Sequence, residues 1–121
     1  MVREQILECT FLIPIYGDKD LSDGEQHRPD EWEWLADNTW LLFGGGTRAP
    51  GLYEGFYTDP DSGNRVNDQS RKYIVAVPKR QLNDLRNFLA EACLVFHQKC
   101  LYLSIAGEVE FIEPPDTKLD N

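Results

Sequence analysis

The sequence predicts an α+β fold, with one antiparallel sheet and two helices covering one of its faces. Three observations predict it. Residues 6–16 and 100–105 alternate between two faces with a period of two, as half-buried strands do. Residues 79–97 repeat apolar side chains at helical spacing. Asp59-Pro60-Asp61-Ser62-Gly63-Asn64 is dense turn chemistry between two apolar runs, which predicts a hairpin. The elements follow the order β-α-β-β-α-β with room for a short extra strand, which is the ferredoxin-like, split-βαβ arrangement.

Each element has its own warrant. In residues 6–16, Leu7, Cys9, Phe11, Ile13 and Ile15 form one face, and Ile6, Glu8, Thr10, Leu12, Pro14 and Tyr16 lie on the other. Pro14 lacks a ladder donor and belongs at a strand end or an edge. Residues 17–28 are polar, contain two glycines and read as an acidic loop. Residues 29–43 read as a helix. Pro29 suits its first turn, and Asp30 and Glu31 complement its positive start. Trp32, Leu35, Ala36 and Phe43 mark the apolar stripe, with Trp34 and Trp40 off it. Residues 52–58 and 71–77 read as an antiparallel strand pair with a long polar connection. Leu82, Leu85, Leu89, Ala92 and Phe96 form the stripe of the second helix, widened by Phe88, Cys93 and Val95. In 100–105, Leu101, Leu103 and Ile105 oppose Cys100, Tyr102 and Ser104. A short strand around Val109 and Phe111 follows. Pro114-Pro115 ends order, giving one domain over 1–112 and a flexible tail over 113–121.

A chain of 121 residues suits one domain with a real core. Its net charge of −9 repels phosphate backbones and anionic lipid surfaces, so neither nucleic acid nor membrane is expected as a partner. Glu4, Glu8 and Pro14 break the apolar start, and no run nears the roughly 20 residues of a membrane helix. A cytoplasmic location is therefore expected. The three cysteines, Cys9, Cys93 and Cys100, match no zinc or redox spacing and read as reduced, small core hydrophobes.

Trp40–Gly51, WLLFGGGTRAPG, has the look of a phosphate loop. Phosphate loops run strand, glycines, helix, so that the anion meets free N–H groups. Here the order is helix, Gly44-Gly45-Gly46, strand, and the glycines fall at the negative helix end. They read as a helix stop, because glycine adopts the left-handed conformation without a Cβ clash. Arg48 suits a carboxylate, from a ligand or from this acidic chain itself.

Cys93 and His97 stand at i, i+4, which makes them the sharpest catalytic pair in the chain, yet Cys93 lies in the apolar stripe and buried thiols are inert. No catalytic residue is assigned. His27 and His97 form no spaced metal motif, and the loop at Asp18, Asp20 and Asp23 lacks the closing glutamate of a calcium site. No metal and no cofactor are expected. Acidic pairs such as Glu108 and Glu110 read as solvated charges. Tyr57, Tyr73 and Tyr102, with Thr10 and Ser104, are the candidates for the open sheet face.

Phe-Leu-Ile-Pro-Ile-Tyr (11–16), Phe-Gly-Gly-Gly-Thr-Arg (43–48), Gly-Phe-Tyr (55–57) and Phe96-x-Gln98-Lys99 together resemble a family of small, uncharacterised bacterial proteins. The resemblance covers roughly residues 10–105. It implies a single ferredoxin-like α+β domain and a shared structural or binding role for Thr47, Arg48 and Gln98. It implies no activity.

These readings lead to a non-enzymatic module that binds a small ligand or a protein through its open sheet face and forms a homodimer. Its candidate binding residues are Thr47, Arg48, Tyr57, Gln98 and Tyr102. One alternative is a small cofactor-independent enzyme of the dimeric α/β-barrel type, with a pocket between sheet and helices holding Arg48, a tyrosine and His97. Another is an acidic interaction or inhibitor protein.

Overall fold

Strand β1 (Ile6–Pro14) supplies the centre of the sheet, and its alternation decides which face becomes the core. Cys9, Phe11 and Ile13 point to one side and are fully buried. On that side they meet Val75 and Val77 of β4 (Arg65–Pro78) and Leu101, Leu103 and Ile105 of β5 (Leu101–Ile105). Helices α1 (Pro29–Phe43) and α2 (Leu82–Val95) close the same side with Leu35, Leu85, Phe88, Leu89, Ala92 and Cys93. Each large apolar side chain withdrawn from water here contributes about 1.5–3 kcal/mol. The computed structural model describes residues 3–116.

Among the described residues the sheet has six strands, all paired antiparallel; five run in the order β2 (Thr47–Arg48), β4, β1, β5, β6 (Glu108–Ile112), and the sixth pairs with β4 off this path. β2 and β3 (Tyr53–Thr58) pair with successive stretches of the long β4. β6 forms the other edge, beyond β5. The α+β class, the antiparallel sheet and the two helices on one face are thus as expected. Among the described residues, no helix is long and apolar enough to cross a membrane.

The glycine run ends α1. Gly44 has φ 84°, and its N–H donates to the Trp40 carbonyl at 2.8 Å. Gly46 lets the chain pass close to the core: a Cβ there would stand 3.1 Å from Thr39 and 3.3 Å from Val75.

Several expectations need correction. β4 begins at Arg65, not at residue 71, so the hairpin connection is only residues 59–64. Helix α2 stops at Val95, and a short 3₁₀ turn, Lys79–Gln81, precedes it. Ala36 is exposed, while Trp34 stacks on Phe88 with ring centroids 5.5 Å apart. Cys100 is exposed rather than a core residue. Glu110 is not merely solvated: both of its oxygens accept from Arg86 at 2.8 Å, which pins β6 to α2. Of the expected tail, residues 117–121 lie outside the described residues.

Candidate functional site

The cavity richest in apolar side chains lies on the sheet face turned away from the helices. Cross-strand partners share a face, and the register sets them out. Gly55 pairs with Asp68, Tyr57 with Val66, Pro14 with Ser70, and Tyr102 with Phe111. Leu12, Pro14, Gly55, Tyr57, Asp68, Ser70, Tyr102 and Phe111 therefore surround one hollow, a cavity of about 480 Å³. A second, of about 670 Å³, lies toward Asp18 and Glu25 of the acidic loop, and a third, of about 690 Å³, toward Glu54 and Arg65. All three share Asp68 in their walls. Volumes of this size suit small organic ligands.

Asp68 is the chemically unusual group. It is half-buried on β4, and burial raises its pKa above the ordinary carboxylate value. Among the described residues, no basic side chain offsets that burial. The basic group at the rim, Arg65, is turned elsewhere. Its Nε donates to Asn67 at 3.1 Å, and its guanidinium lies 4.7 Å from the centre of the Phe56 ring. The space over the carboxylate exists because residue 55 is glycine: a Cβ there would stand 3.0 Å from Asp68 Oδ1. The pKa of Tyr57 is raised too, first by burial and then by the nearby Asp68 charge.

The walls are tied together by Gln98 and Lys99. Buried Gln98 donates from Nε2 to the carbonyls of Tyr16 and Phe96, both at 2.8 Å. Lys99 Nζ reaches Asp20 at 2.7 Å, Asp61 at 2.8 Å and Asp59 at 3.6 Å.

The structure brings together Tyr57, Tyr102 and Gln98 in the wall of the 480 Å³ cavity. Thr47 and Arg48 lie on the exposed β2, outside the linings of all three cavities. Tyr73 is not on the open face; it packs toward the helices and stacks on Phe11 at 5.3 Å. The space between sheet and helices is filled by the core, and among the described residues none of the three cavities joins Arg48, a tyrosine and His97. Cys93 donates to the Ile112 carbonyl at 3.3 Å, and burial pushes its thiol pKa up to about 12. His97 lies beyond the helix in a left-handed conformation, facing Glu31 at 4.0 Å instead of the thiol. His27, expected in an open loop, is buried between Trp32 and Phe96 with Nε2 2.8 Å from the Pro14 carbonyl oxygen. Its burial lowers its pKa.

Asp68 was not among the expected residues. The available signal was the alternation of Val66, Asp68 and Ser70, which continues the β4 pattern into a polar stretch.

No protein-family model and no curated protein sequence matches the chain. Two solved structures share its fold. One is a phage SAM lyase in complex with S-methyl-5′-thioadenosine, 16% identical, with a TM-score of 0.67 over 93% of this chain and 95% of that one. The other is a phage SAM lyase in the apo state, 14% identical, with a TM-score of 0.57 over 93% of this chain and 94% of that one. The expected non-enzymatic binding module is corrected here: the proteins that share this architecture almost end to end are enzymes.

Proposed function

We propose that this protein is a lyase that cleaves S-adenosylmethionine and releases S-methyl-5′-thioadenosine in the cavity around Asp68. One observation carries the reading beyond the shared fold. A desolvated carboxylate without a counter-cation faces a ligand-sized cavity, and the substrate is a cation. The product keeps sulfur, its methyl group and the 5′ carbon. The bond that breaks is therefore the one between sulfur and the methionyl Cγ, and its electron pair stays on sulfur. The four-carbon remainder closes on its own carboxylate oxygen, or it loses a proton from the neighbouring carbon to a base in solution. Both routes balance atoms and charge, and neither adds water to the product.

Asp68 fits the α-ammonium better than the sulfonium. The sulfonium charge disappears during the reaction, so a carboxylate against it would stabilise the substrate over the transition state and slow cleavage. The ammonium charge persists, and holding it orients the chain. Tyr57, Tyr102 and Phe111 offer flat apolar surface for the adenosine.

The test is direct. Purified protein is incubated with S-adenosylmethionine, and thioadenosine is followed by liquid chromatography. Product formation that exceeds the spontaneous rate and falls in Asp68→Asn supports the proposal. No product, together with no calorimetric binding of S-methyl-5′-thioadenosine, overturns it.

Two finer readings belong with it. We read β2 and β3 as one interrupted edge strand, which makes the kernel ferredoxin-like with β6 added. The open face, which carries exposed Tyr57 and Phe111, is also the surface offered for a homodimer. A monomer mass by light scattering at high micromolar concentration rejects that assembly.

A further inference from the structure

We infer that Lys99 is a positioning residue: it straps the acidic loop, residues 17–28, to the β3–β4 turn across one end of the proposed substrate cavity. This rests on the lyase reading for its functional consequence, but its geometry stands apart from it. Lys99 is the more enclosed partner, 24% exposed, against 64% for Asp20 and 72% for Asp61. Asp20 belongs to the acidic loop, and Asp59 and Asp61 to the turn after β3. One ammonium therefore holds three carboxylates from two segments far apart in sequence. Hydrogen bonding to Asp20 and Asp61 raises its pKa, so it stays charged throughout the working pH range.

The neighbouring residues anchor the same loop. Asp18 N–H donates to the His97 carbonyl at 2.8 Å, and Gln98 Nε2 donates to Tyr16. Asp59 in turn organises its turn: its carboxylate accepts from Asp61 N–H at 3.0 Å, and its carbonyl from Gly63 N–H at 2.9 Å. Asp18 and Asp59 line the cavity together with Tyr57. Releasing Lys99 would free both walls and add uncompensated negative charge at the mouth. Several converging charges make this unlike a single exposed ion pair, which contributes little.

The experiment compares wild type, Lys99→Met and Lys99→Arg in two assays. The first is limited trypsin digestion, with cleavage after Lys19 followed by mass spectrometry. The expected result is about tenfold faster cleavage in Lys99→Met, the same acceleration of wild type in 0.5–1 M salt (roughly the range where screening falls to a few ångströms), and restoration by Lys99→Arg. The second is steady-state cleavage of S-adenosylmethionine, where KM is expected to rise about tenfold in Lys99→Met with kcat within about twofold. Unchanged loop cleavage in Lys99→Met overturns the strap. Faster loop cleavage with unchanged KM overturns its positioning role. If wild type neither cleaves nor binds the substrate, the lyase reading fails, and the trypsin assay still decides the strap.

Discussion

Asp68→Asn separates a ligand-binding carboxylate from a structural one, because the two roles predict opposite results. The substitution keeps the side-chain shape and removes the charge. Two unit charges about 4 Å apart interact by about 4 kcal/mol at the effective dielectric of a protein surface. At about 1.4 kcal/mol per factor of ten, the full interaction is worth roughly 10³. Asp68 is half-buried and partly screened, so a loss of about 10²–10³ in kcat/KM is expected. An ammonium held equally in substrate and transition state places that loss mainly in KM. Stability moves the other way. Burial raises the folded-state pKa of Asp68, so folding penalises its ionised form. The penalty is absent below the unfolded value, where the carboxyl is protonated in both states, and complete above the folded value. At pH 7 Asp68→Asn should therefore melt at or above the wild-type temperature, and the gain should vanish as pH falls toward 3.8. Catalysis should accordingly decline on acidification, as the carboxylate takes up a proton. The assays are initial rates of thioadenosine release across pH and thermal melts of both proteins. A variant within threefold of wild-type kcat/KM, or one that melts several degrees lower, refutes the reasoning.

Gly55→Ala places a methyl group 3.0 Å from Asp68 Oδ1 and should raise KM about tenfold, with at most about 1 kcal/mol of destabilisation; unchanged KM would show that the space above the carboxylate is not used. Phe96→Ala removes a fully buried ring packed against Trp32 at 5.0 Å and His27 at 4.8 Å, and should cost about 3–5 kcal/mol in urea unfolding. A cost under about 1 kcal/mol would mean that the aromatic cluster is not a stabilising centre. Iodoacetamide at pH 7.5 should leave Cys93, with its thiol pKa near 12, unmodified in the folded protein and react slowly at the exposed Cys100. Mass spectrometry of the peptides checks this, and a labelled Cys93 would show that the α2–β6 contact opens readily.

What the sequence revealed and concealed follows from what each segment buries. β1, β5 and α2 were legible because their apolar faces enter one core, and burial imposes a periodic pattern. The first half of β4 concealed itself for the opposite reason. Residues 65–70 pair with β3, and Val66 is the single apolar side chain among them. No hydrophobic period marks a strand there, so Asp68 read as part of a loop. The face of Tyr73 was hidden by Arg71, which sits on the helix side of β4 and looks out of place in a buried row. Its guanidinium lies 3.8 Å from the Trp32 ring centre, so a basic side chain is accommodated on that face. With Arg71 placed there, Tyr73, Val75 and Val77 fall into line behind it.

The charge of the chain gains a different meaning from its distribution. At −9 it first excluded polyanionic partners. The structure shows that several of the cations are committed away from the cavity floor. Arg86 holds Glu110, Arg28 holds Asp30, and Arg80 holds Glu4. Lys99 neutralises carboxylates at one end of the cavity and Arg65 turns onto an aromatic ring, so neither reaches Asp68. An excess of acid in a sequence need not concentrate anywhere, and most acidic proteins spread it over the surface. Here the pairing leaves one desolvated carboxylate uncompensated, with glycine opposite it and aromatic rings around it. Folding pays to bury that charge, and nothing within the fold repays it. A cationic ligand would, and this selects a positively charged substrate more sharply than the net charge of the chain does.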